Sequence, residues 1–402
     1  MADLAILVAA RDEEERVGAT IESLRRAFPG AEVIVADDGS RDGTARVAEV
    51  AGARVVRLPR RGKGQALTLA EREAPEGRLL LCDADLDGDL RPLLEAGVDL
   101  AIAAFAERQG GGFGLVKRTA RELIRLATGR ELREPLSGQR ALSLRARERC
   151  FPAAAGFGAD ARMTIDALRA GLTVEEVELP LRHRATGRDL RGFAHRARQL
   201  VDLVLAFGPE GRNHRGLRLP LVGWTVSVLA PRVAAVAAIG LADDLFAGPE
   251  RGFAGHLRAG RTTGVLKLVG IPLAGLLATR RLSGALLVGL AANALNQLDT
   301  KPGRALKAYA LAALPVRAPL LPAVILAPYD LREMAMLGDS GSNALGALLG
   351  LKSVDLLTAR SRWLAIGALA GLNFLGELRS LGVLIERAPI LRELDRLGRT
   401  TA

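Results

Sequence analysis

The amino-acid sequence predicts an α/β domain followed by an all-α polytopic membrane domain. In the first half, short apolar runs alternate with helical patterns, and each run ends in polar residues. After about residue 217, long apolar segments follow one another with few charges inside them. We therefore divide the chain into a domain at 1–205, a linker at 206–216 and a membrane domain at 217–402.

The composition agrees with this division. A chain of 402 residues that is 49% hydrophobic and 25% charged is easier to explain by one charged half and one apolar half than by a uniform soluble protein. The net charge of +11 favours phosphorylated substrates or anionic lipid as partners. We expect no nucleic-acid partner, because aromatic residues make up only 3% of the chain and the basic residues are spread out.

The two cysteines and the N-terminus indicate a cytosolic first half. Cys82 lies in an apolar run typical of a buried strand, so a disulfide with Cys150 is not expected and a reducing compartment is. The first residues show no secretory signal pattern. We expect a multi-pass protein of the inner (plasma) membrane whose N-terminal domain lies in the cytosol.

Four apolar runs predict the strands of the first domain, and helical patterns lie between them. The runs are at 4–10, 33–36, 54–56 and 79–82, and the helical patterns are at about 14–27, 43–51 and 64–74. Strands that alternate with helices predict a mainly parallel sheet. Ligands of such sheets bind beyond the carboxyl ends of the strands.

Each of the four strands is followed by a polar segment. The segments are Ala9–Glu14, Asp37–Thr44, Arg61–Leu67 and Asp83–Asp85. Any one of them alone is typical of a solvated turn or a helix cap, whereas all four in order are more specific.

The residue types in these segments suit a nucleotide diphosphate-sugar. Asp83 and Asp85, one residue apart, suit a divalent cation that bridges to diphosphate oxygens. The Asp38 carboxylate suits ribose hydroxyls or a base edge, and Lys63, between two glycines, can approach a phosphate.

These segments resemble those of family-2 glycosyltransferases with the nucleotide-diphospho-sugar transferase (GT-A-like) fold, over about residues 1–205. The resemblance implies a nucleotide-sugar donor and a Mg²⁺ or Mn²⁺ cofactor. It implies that Arg11, Glu13 and Asp38 contact the nucleotide. It also implies that Asp83 and Asp85 serve the metal and the diphosphate, with Asp85 as the direct metal ligand.

Two later segments resemble the acceptor side of such enzymes. They are Pro135–Arg140 and Gly156–Asp160. Inverting transfer to a hydroxyl needs a general base, and Asp160 is the candidate, whereas a phosphate acceptor needs no strong base. Asp160 as a helix cap fits the sequence nearly as well.

Basic residues follow this part of the chain. His183, Arg184, His195 and Arg196 suit a lipid phosphate or the membrane surface, although a solvated basic face fits at least as well. A helix near 192–207 either lies on the membrane or packs on the domain.

Six apolar segments predict the membrane domain. We expect about five or six spans of ~20 residues, some of them broken, in preference to a buried soluble bundle. Pro231-Arg232 interrupts the first segment and Arg317 the fourth. The segments are near 219–241, 264–279, 282–298, 305–327, 343–358 and 363–385.

Acidic residues stand at the ends of these segments. Asp243 and Asp244 end the first segment, Asp299 ends the third, and Asp339 begins the fifth. Carboxylates near lipid are costly, so they are functional candidates, and a cluster of them can hold Mg²⁺ against a diphosphate. The adjoining loop offers basic side chains for a phosphate, namely Arg251, His256, Arg258, Arg261 and Lys267.

These motifs resemble those of polyprenyl-phosphate N-acetylhexosamine-1-phosphate transferases, over about residues 217–395. The resemblance implies that Asp243 and Asp244 bind or activate a lipid phosphate. It implies that Asn296 and Asp299 line the site, and that Asp339 holds Mg²⁺.

The chain also departs from that family. Pro302 stands where the family has a second Asp, Thr300 and Arg304 also differ, and a His-rich loop is absent. Three functions therefore stay open. The first is sugar transfer to a polyprenyl-phosphate-linked or other membrane-proximal acceptor in cell-envelope glycan synthesis. The second adds sugar-1-phosphate transfer in the membrane half, and the third makes that half a non-catalytic lipid-binding scaffold.

Overall fold

The chain forms two compact units. The computed structural model describes residues 4–59, 61–86, 88–105, 115–180, 190–246 and 263–399. The N-terminal unit comprises Met1–Gly208 with Gly216–Arg218, and the C-terminal unit comprises Pro209–Arg215 with Leu219–Thr401. The predicted linker at 206–216 thus divides between the two, and it contains a strand.

The N-terminal unit is built on a seven-stranded sheet. Its strands are β1 (Leu4–Ala10), β2 (Glu32–Asp37), β3 (Arg54–Arg57), β4 (Arg78–Asp83), β5 (Leu100–Phe105), β6 (Arg140–Leu142) and β7 (Val174–Leu179). Their order across the sheet is β3-β2-β1-β4-β6-β5-β7. The α/β class is therefore confirmed.

The sheet is mainly parallel, as predicted, with one antiparallel strand that makes it mixed. Strands β1, β2, β3 and β4 pair in parallel, as do β5 and β7. Strand β6 runs antiparallel between β4 and β5. Because β6 has only three residues, the sequence shows no alternation by which it could be recognised.

Eight helices of the described residues belong to this unit. They are α1 (Val17–Ala27), α2 (Thr44–Val50), α3 (Lys63–Glu71), α4 (Arg91–Glu95), α5 (Leu115–Thr128), α6 (Leu144–Cys150), α7 (Ala159–Arg169) and α8 (Leu190–Phe207).

Helices cover both faces of the sheet. Alternate residues of a strand point to opposite faces, so Ile6 packs in one apolar cluster with Ile21 of α1. Leu7 packs in the other cluster with Leu67 of α3 and Met163 of α7. Burial on both faces explains why the strands are apolar without interruption.

The C-terminal unit is helical. Its described helices are α9 (Thr225–Leu229), α10 (Ala234–Phe246), α11 (Thr263–Thr279), α12 (Leu282–Leu298), α13 (Arg304–Val316), α14 (Leu321–Asp330), α15 (Gly338–Leu356), α16 (Ala359–Leu378), α17 (Leu381–Arg387) and α18 (Pro389–Arg396). A short two-stranded sheet, β8 (Glu210–Arg212) with β9 (Arg218–Pro220), precedes them.

Glycines bring α15 close to α12. A Cβ on Gly346 would lie 2.5 Å from Cα of Ala292, and a Cβ on Gly350 would lie 2.7 Å from Cα of Val288. The two glycines are one turn apart, so they form a smooth strip along α15 on which α12 lies.

Two of the predicted apolar segments are broken in the structure. The segment at 219–241 divides into α9, a 3₁₀ turn at Pro231–Val233 and α10. The segment at 305–327 divides at Arg317, which has a left-handed backbone with φ 52° and ends α13. Proline and left-handed residues cannot continue an α-helix without cost, which is the physical reason for both breaks.

The helices are short compared with the expected spans. No single helix in the described residues is both long and apolar enough to cross a bilayer. Helices α16 and α17 reach that length and composition together, but they are bent by 88°.

Candidate active site

The predicted polar segments meet at the carboxyl edge of the sheet. In the parallel register, Ala10 of β1 lies beside Asp37 of β2, and Ala9 lies beside Asp83 of β4. The segments that follow these strands therefore leave the sheet at neighbouring positions, as ligand-binding loops of open α/β sheets do.

The ammonium group of Lys63 lies between two carboxylates at this edge of the sheet. Its Nζ lies 2.9 Å from Oδ1 of Asp83 and 3.1 Å from Oδ2 of Asp160. Gly62, with φ 96°, turns the chain into α3 so that Lys63 is the first residue of the helix. A Cβ on Gly138 would lie 2.5 Å from Nζ of Lys63, so a side chain at this position would displace the ammonium from its present place.

Asp160 lies in the first turn of α7 and is almost fully buried. Its Oδ2 contacts Lys63, whereas its Oδ1 is buried without a hydrogen-bond partner in the described part of the chain. Nε of Arg140 is 3.9 Å from that Oδ1. A buried carboxylate oxygen with an unused lone pair is costly in a protein core, which makes Asp160 a candidate for contact with a ligand.

Arg140 is fully buried and shapes the wall beside Asp160. Its guanidinium donates to the carbonyl oxygens of Ser137 (2.7 Å) and Pro135 (3.0 Å), and to Oγ1 of Thr164 (2.8 Å). These bonds tie the segment at 135–139 to α7.

Two pKa values reflect the charge of the site. Burial disfavours the Lys63 ammonium, but the carboxylates of Asp160 and Asp83 outweigh burial and hold the lysine pKa above its usual value. Burial lowers the pKa of Arg140, and Asp160 partly offsets that effect. Lys63 therefore remains a cation at neutral pH.

Asp38 holds the segment that carries Lys63. Its Oδ1 accepts hydrogen bonds from the backbone N–H groups of Arg61 (2.6 Å) and Gly62 (2.9 Å). The structure thus places Asp38 at the site, with its carboxylate bound to the loop before α3.

Arg11 and Glu13 lie in the loop after β1. Arg11 is partly exposed, and its Nε is 3.6 Å from Oδ2 of Asp12. The Glu13 carboxylate accepts from Nη1 of Arg16 at 2.9 Å, and its backbone N–H donates to Oγ1 of Thr44 at 2.8 Å. The last contact joins the loop after β1 to the loop after β2.

Asp83 and Asp85 offer carboxylate oxygens for a metal. Asp85 is half-buried in the turn after β4, and its carboxylate makes no hydrogen bond or ion pair with other described residues. No group of three or more His, Cys, Asp or Glu in the described ranges is arranged to hold a metal ion. Two carboxylates completed by substrate phosphates are nevertheless the usual protein ligand set for Mg²⁺, so the residues present fit such an ion.

Sequence reasoning did not identify two side chains of the site. Nε2 of Gln139 donates to Oδ2 of Asp83 at 3.2 Å, and Thr164 accepts from Arg140. Gln139 belongs to the predicted acceptor-side segment, so that segment was the available signal. Thr164 has no sequence signal, because its role depends on how α7 packs.

The comparisons with known proteins concern this unit. The family model for glycosyl transferase family 2 matches residues 5–138. Over 236 residues the chain is 32% identical to a glucosyl-3-phosphoglycerate synthase of Mycolicibacterium smegmatis, with 50% of this chain and 77% of that protein covered. The chain belongs to glycosyl transferase family 2. Its N-terminal unit is a glycosyltransferase domain.

Other relatives of this family 2 chain are similar over the same part. Glycosyltransferase AglJ of Haloferax volcanii is 31% identical over 201 residues, which cover 46% of this chain and 64% of that protein, less than two thirds. A crystal structure of glucosyl-3-phosphoglycerate synthase from Mycobacterium tuberculosis with Mn²⁺, UDP and glucosyl-3-phosphoglycerate is 28% identical. The matched region covers 51% of this chain and 80% of the synthase chain, with a TM-score of 0.43.

The C-terminal unit of this glycosyltransferase has a second charged cluster. Nζ of Lys267 lies 2.6 Å from Oδ2 of Asp243, and it also pairs with the Asp339 carboxylate. The structure thus brings residues of α10, α11 and α15 to one point, although 96 positions separate Asp243 from Asp339 (339 minus 243).

Asp244 caps the start of α15. Its Oδ1 accepts from the N–H of Asp339 (2.8 Å), and its Oδ2 accepts from the N–H of Ser340 (2.9 Å). A Cβ on Gly240 would lie 2.5 Å from the carbonyl oxygen of Asp339, so this glycine allows α10 to approach α15 closely. The approach places Asp244, one turn further on, at the helix N-terminus.

Other predicted residues lie nearby or outside the described part. Nδ2 of Asn296 is 3.4 Å from Oγ of Ser342, and Asp299 ends α12. The remaining predicted basic residues, Arg251, His256, Arg258, Arg261, His183 and Arg184, and the side chains of His195 and Arg196, lie outside what the structure describes.

Pro302 and Arg304, which depart from the motifs of the polyprenyl-phosphate N-acetylhexosamine-1-phosphate transferases, both contact residues near the C-terminus of the chain. The carbonyl oxygen of Pro302 accepts from Nε of Arg399 at 2.6 Å. The buried Arg304 donates to the Asp395 carboxylate from Nε (3.0 Å) and Nη2 (2.8 Å). Sequence reasoning missed Asp395, because nothing in a charged C-terminal segment shows which acid will be buried.

Proposed function

We propose that the N-terminal unit transfers a sugar from a nucleotide diphosphate-sugar, and that Lys63, Asp83, Asp85 and Asp160 form its centre. The observation that supports this most is the ammonium of Lys63 between two carboxylates, one of which has an unused buried oxygen. Arg11, Glu13 and Asp38 lie in the loops around the nucleotide in this proposal.

The transfer needs one bond to form and one to break. An oxygen of the acceptor bonds to the anomeric carbon of the sugar as the bond from that carbon to the diphosphate oxygen breaks. The nucleoside diphosphate leaves with the electron pair, and Lys63 offsets its charge. If the acceptor is a hydroxyl, Asp160 receives the proton on its unused Oδ1, and if it is a phosphate oxygen, no proton has to move.

Asp83 and Asp85 would hold Mg²⁺ or Mn²⁺ in this proposal. A bound divalent cation supplies positive charge to the diphosphate as it leaves. The two residues contribute hard carboxylate oxygens at the end of β4. Gln139 orients Asp83 through the hydrogen bond to Oδ2.

The acceptor that we propose is a polyprenyl phosphate or another lipid-linked group at the membrane. Large apolar side chains of the C-terminal unit are exposed on several helices, for example Leu277 on α11 (72%), Val324 on α14 (65%) and Phe374 on α16 (67%). A bilayer would cover these exposed apolar side chains. The cluster of Lys267, Asp243 and Asp339 adds charged side chains that could bind a lipid phosphate and Mg²⁺.

A donor and acceptor screen tests the proposal. The full chain in detergent is given UDP- and GDP-sugars, Mg²⁺ or Mn²⁺, and either polyprenyl phosphate or 3-phosphoglycerate. We expect sugar transfer to the lipid that stops with EDTA and in Asp85→Asn. Transfer to 3-phosphoglycerate alone would contradict the lipid acceptor, and activity that survives both treatments would contradict the metal.

The second cluster supports a second candidate function, which is sugar-1-phosphate transfer or lipid binding by the C-terminal unit. Asp244 and Lys267 keep Asp339 at the start of α15, as a metal or phosphate site would need. Binding of radiolabelled polyprenyl phosphate by the full chain, with and without Mg²⁺, is compared between wild type and Asp339→Ala. Equal binding by both would leave the unit as an anchor.

A further inference from the structure

The ammonium of Lys63 contacts a carboxylate that the proposed function assigns to the metal. Its Nζ lies 2.9 Å from Oδ1 of Asp83, and Nε2 of Gln139 lies 3.2 Å from Oδ2 of the same carboxylate. Both oxygens of Asp83 therefore already accept from a donor of the protein. Asp85, the other carboxylate assigned to the metal, makes no hydrogen bond or ion pair with other described residues.

A divalent cation on Asp83 would lie close to this ammonium. Bonds from Mg²⁺ to oxygen are about 2.1 Å long, so a cation on the second lone pair of Oδ1 would lie about 4 Å from Nζ of Lys63. The side chains of Lys63 and Asp83 are only 18% and 34% exposed, so water screens the repulsion between the two positive charges incompletely. The cation and the ammonium therefore compete for Asp83.

Lys63 has little freedom to move away from Asp83. Its Nζ also binds Oδ2 of Asp160 at 3.1 Å, and Asp160 is almost fully buried. Gly138 lies against the pair, because a Cβ at this position would be 2.4 Å from Oδ2 of Asp83 and 2.5 Å from Nζ of Lys63. Since a charged hydrogen bond is costly to lose without a replacement, an ammonium that leaves Asp83 must gain another anion.

The diphosphate of a nucleotide-sugar is such an anion. Its oxygens can accept from Lys63 in place of Asp83, while the contact of Lys63 with Asp160 is kept. Asp83 can then bind the cation, which gains the phosphate oxygens as further ligands. The diphosphate therefore removes the obstacle to metal binding, and the metal in turn favours the diphosphate.

We propose that Lys63 makes metal binding depend on the diphosphate, because its ammonium keeps Mg²⁺ or Mn²⁺ from Asp83 until a nucleoside diphosphate draws it away. The metal and the diphosphate then enter the site together. This inference rests on the proposed assignment of Asp83 and Asp85 to the metal, and it adds the order in which the site is filled. Coupling between two ligands is a property of binding, so it can be measured without sugar transfer.

The test measures Mn²⁺ binding to the full chain in detergent, from the electron paramagnetic resonance signal of the free ion, with and without UDP or GDP. Lys63→Met removes the charge, and Lys63→Arg is the matched control that keeps it. Lys63→Gln repeats the experiment if Lys63→Met does not fold, because its amide can still donate to a carboxylate. Asp85→Asn measures the Mn²⁺ that binds elsewhere in the chain, including the cluster at Asp339.

We expect Lys63→Met to bind Mn²⁺ alone at least about tenfold more tightly than wild type, because a neighbouring charge changes the affinity of a carboxylate for a proton by about 10- to 1000-fold and acts on a metal ion in the same sense. Lys63→Arg should stay within about twofold of wild type, because the charge is kept. The nucleoside diphosphate should tighten Mn²⁺ binding by a larger factor in wild type than in Lys63→Met. Binding of Mn²⁺ to the free nucleotide is the same in both experiments, so it does not affect this comparison.

The other outcomes separate this inference from the proposed function. If wild type with either nucleotide binds no more Mn²⁺ than Asp85→Asn does, the metal assignment is wrong and this inference is wrong with it. If binding depends on Asp85 but neither neutral variant binds Mn²⁺ alone more tightly than wild type, Lys63 does not exclude the cation and the metal assignment stands. If Lys63→Arg binds Mn²⁺ alone as tightly as Lys63→Met, the shape of the lysine and not its charge is responsible, which overturns the proposal.

Discussion

Nζ of Lys63 lies 3.1 Å from Oδ2 of Asp160, although 97 positions separate the two residues along the chain. The contact joins the start of α3 to the first turn of α7 across the carboxyl edge of the sheet. It depends on the backbone as well, because Gly62 has φ 96° and Gly138 leaves room for the ammonium.

The first prediction concerns the charge of Lys63. Lys63→Met should reduce sugar transfer by about 100-fold or more, since one fixed charge that stabilises a leaving group is worth about that much. It should also lower the free energy of unfolding by ~1–3 kcal/mol, because Asp160 stays buried without its cation.

Lys63→Arg is the matched control, because it keeps the charge and changes the shape. Initial rates and urea unfolding of both variants are compared with wild type. Should Lys63→Met transfer sugar at a rate near that of wild type, the ammonium has no part in the reaction.

The second prediction concerns the two buried thiols. Burial raises the pKa of Cys150 to about 12, and burial with the nearby Asp83 and Asp85 raises that of Cys82. Because a raised pKa disfavours the reactive thiolate, neither cysteine should be labelled by a thiol reagent in the folded chain at neutral or mildly alkaline pH. Both should be labelled in denaturant, and mass spectrometry counts the labels. Fast labelling of the native chain would show that the N-terminal core opens readily.

The third prediction uses two glycines of the helical unit. Gly346→Ala should destabilise the unit by ~1–3 kcal/mol, because the new Cβ would lie 2.5 Å from Cα of Ala292 and would separate α12 from α15. Gly371 of α16 has no atom within 4 Å of an added Cβ, so Gly371→Ala should be neutral or stabilising by up to ~1 kcal/mol. Thermal unfolding of the full chain in detergent measures both. Equal shifts in the two variants would contradict the close packing of these helices.

Much of the N-terminal fold was predictable because its signals are local. Apolar runs that end in polar residues located strands β1 to β4, and Lys63, Asp83 and Asp160 were each predicted at the site. The contact between Lys63 and Asp160 was not predicted, because it depends on the packing of α7. Strand β6 was missed because three residues between two neighbouring strands have no pattern of their own.

In the C-terminal unit, local signals located helices but not their lengths or partners. The sequence identified Pro231 and Arg317 as interruptions, and both lie at breaks in the structure. It identified Pro302 and Arg304 only as departures from a family motif. Their contacts with Arg399 and Asp395 join residues more than 90 positions apart, which no local pattern can reveal.

The last prediction compares a buried ion pair with an exposed one. Arg304 and Asp395 are both almost fully buried, with Nη2 and Oδ2 2.8 Å apart. Removal of Asp395 leaves the buried Arg304 with only the half-exposed Glu386 carboxylate, 3.4 Å from Nη2, so Asp395→Ala should lower the free energy of unfolding by an amount toward the lower end of ~3–5 kcal/mol. Asp355 pairs with Arg232 at 3.2 Å where both side chains are about half exposed, so Asp355→Ala should cost ~0–1 kcal/mol.

The double variant Arg304→Met with Asp395→Leu distinguishes the loss of the ion pair itself from the cost of leaving one buried charge unpaired. Because it removes both buried charges, it should recover most of the stability that Asp395→Ala loses. Thermal unfolding of the full chain in detergent is measured for all three variants. If Asp395→Ala costs no more than Asp355→Ala, the ion pair with Arg304 does not hold α18 on its unit.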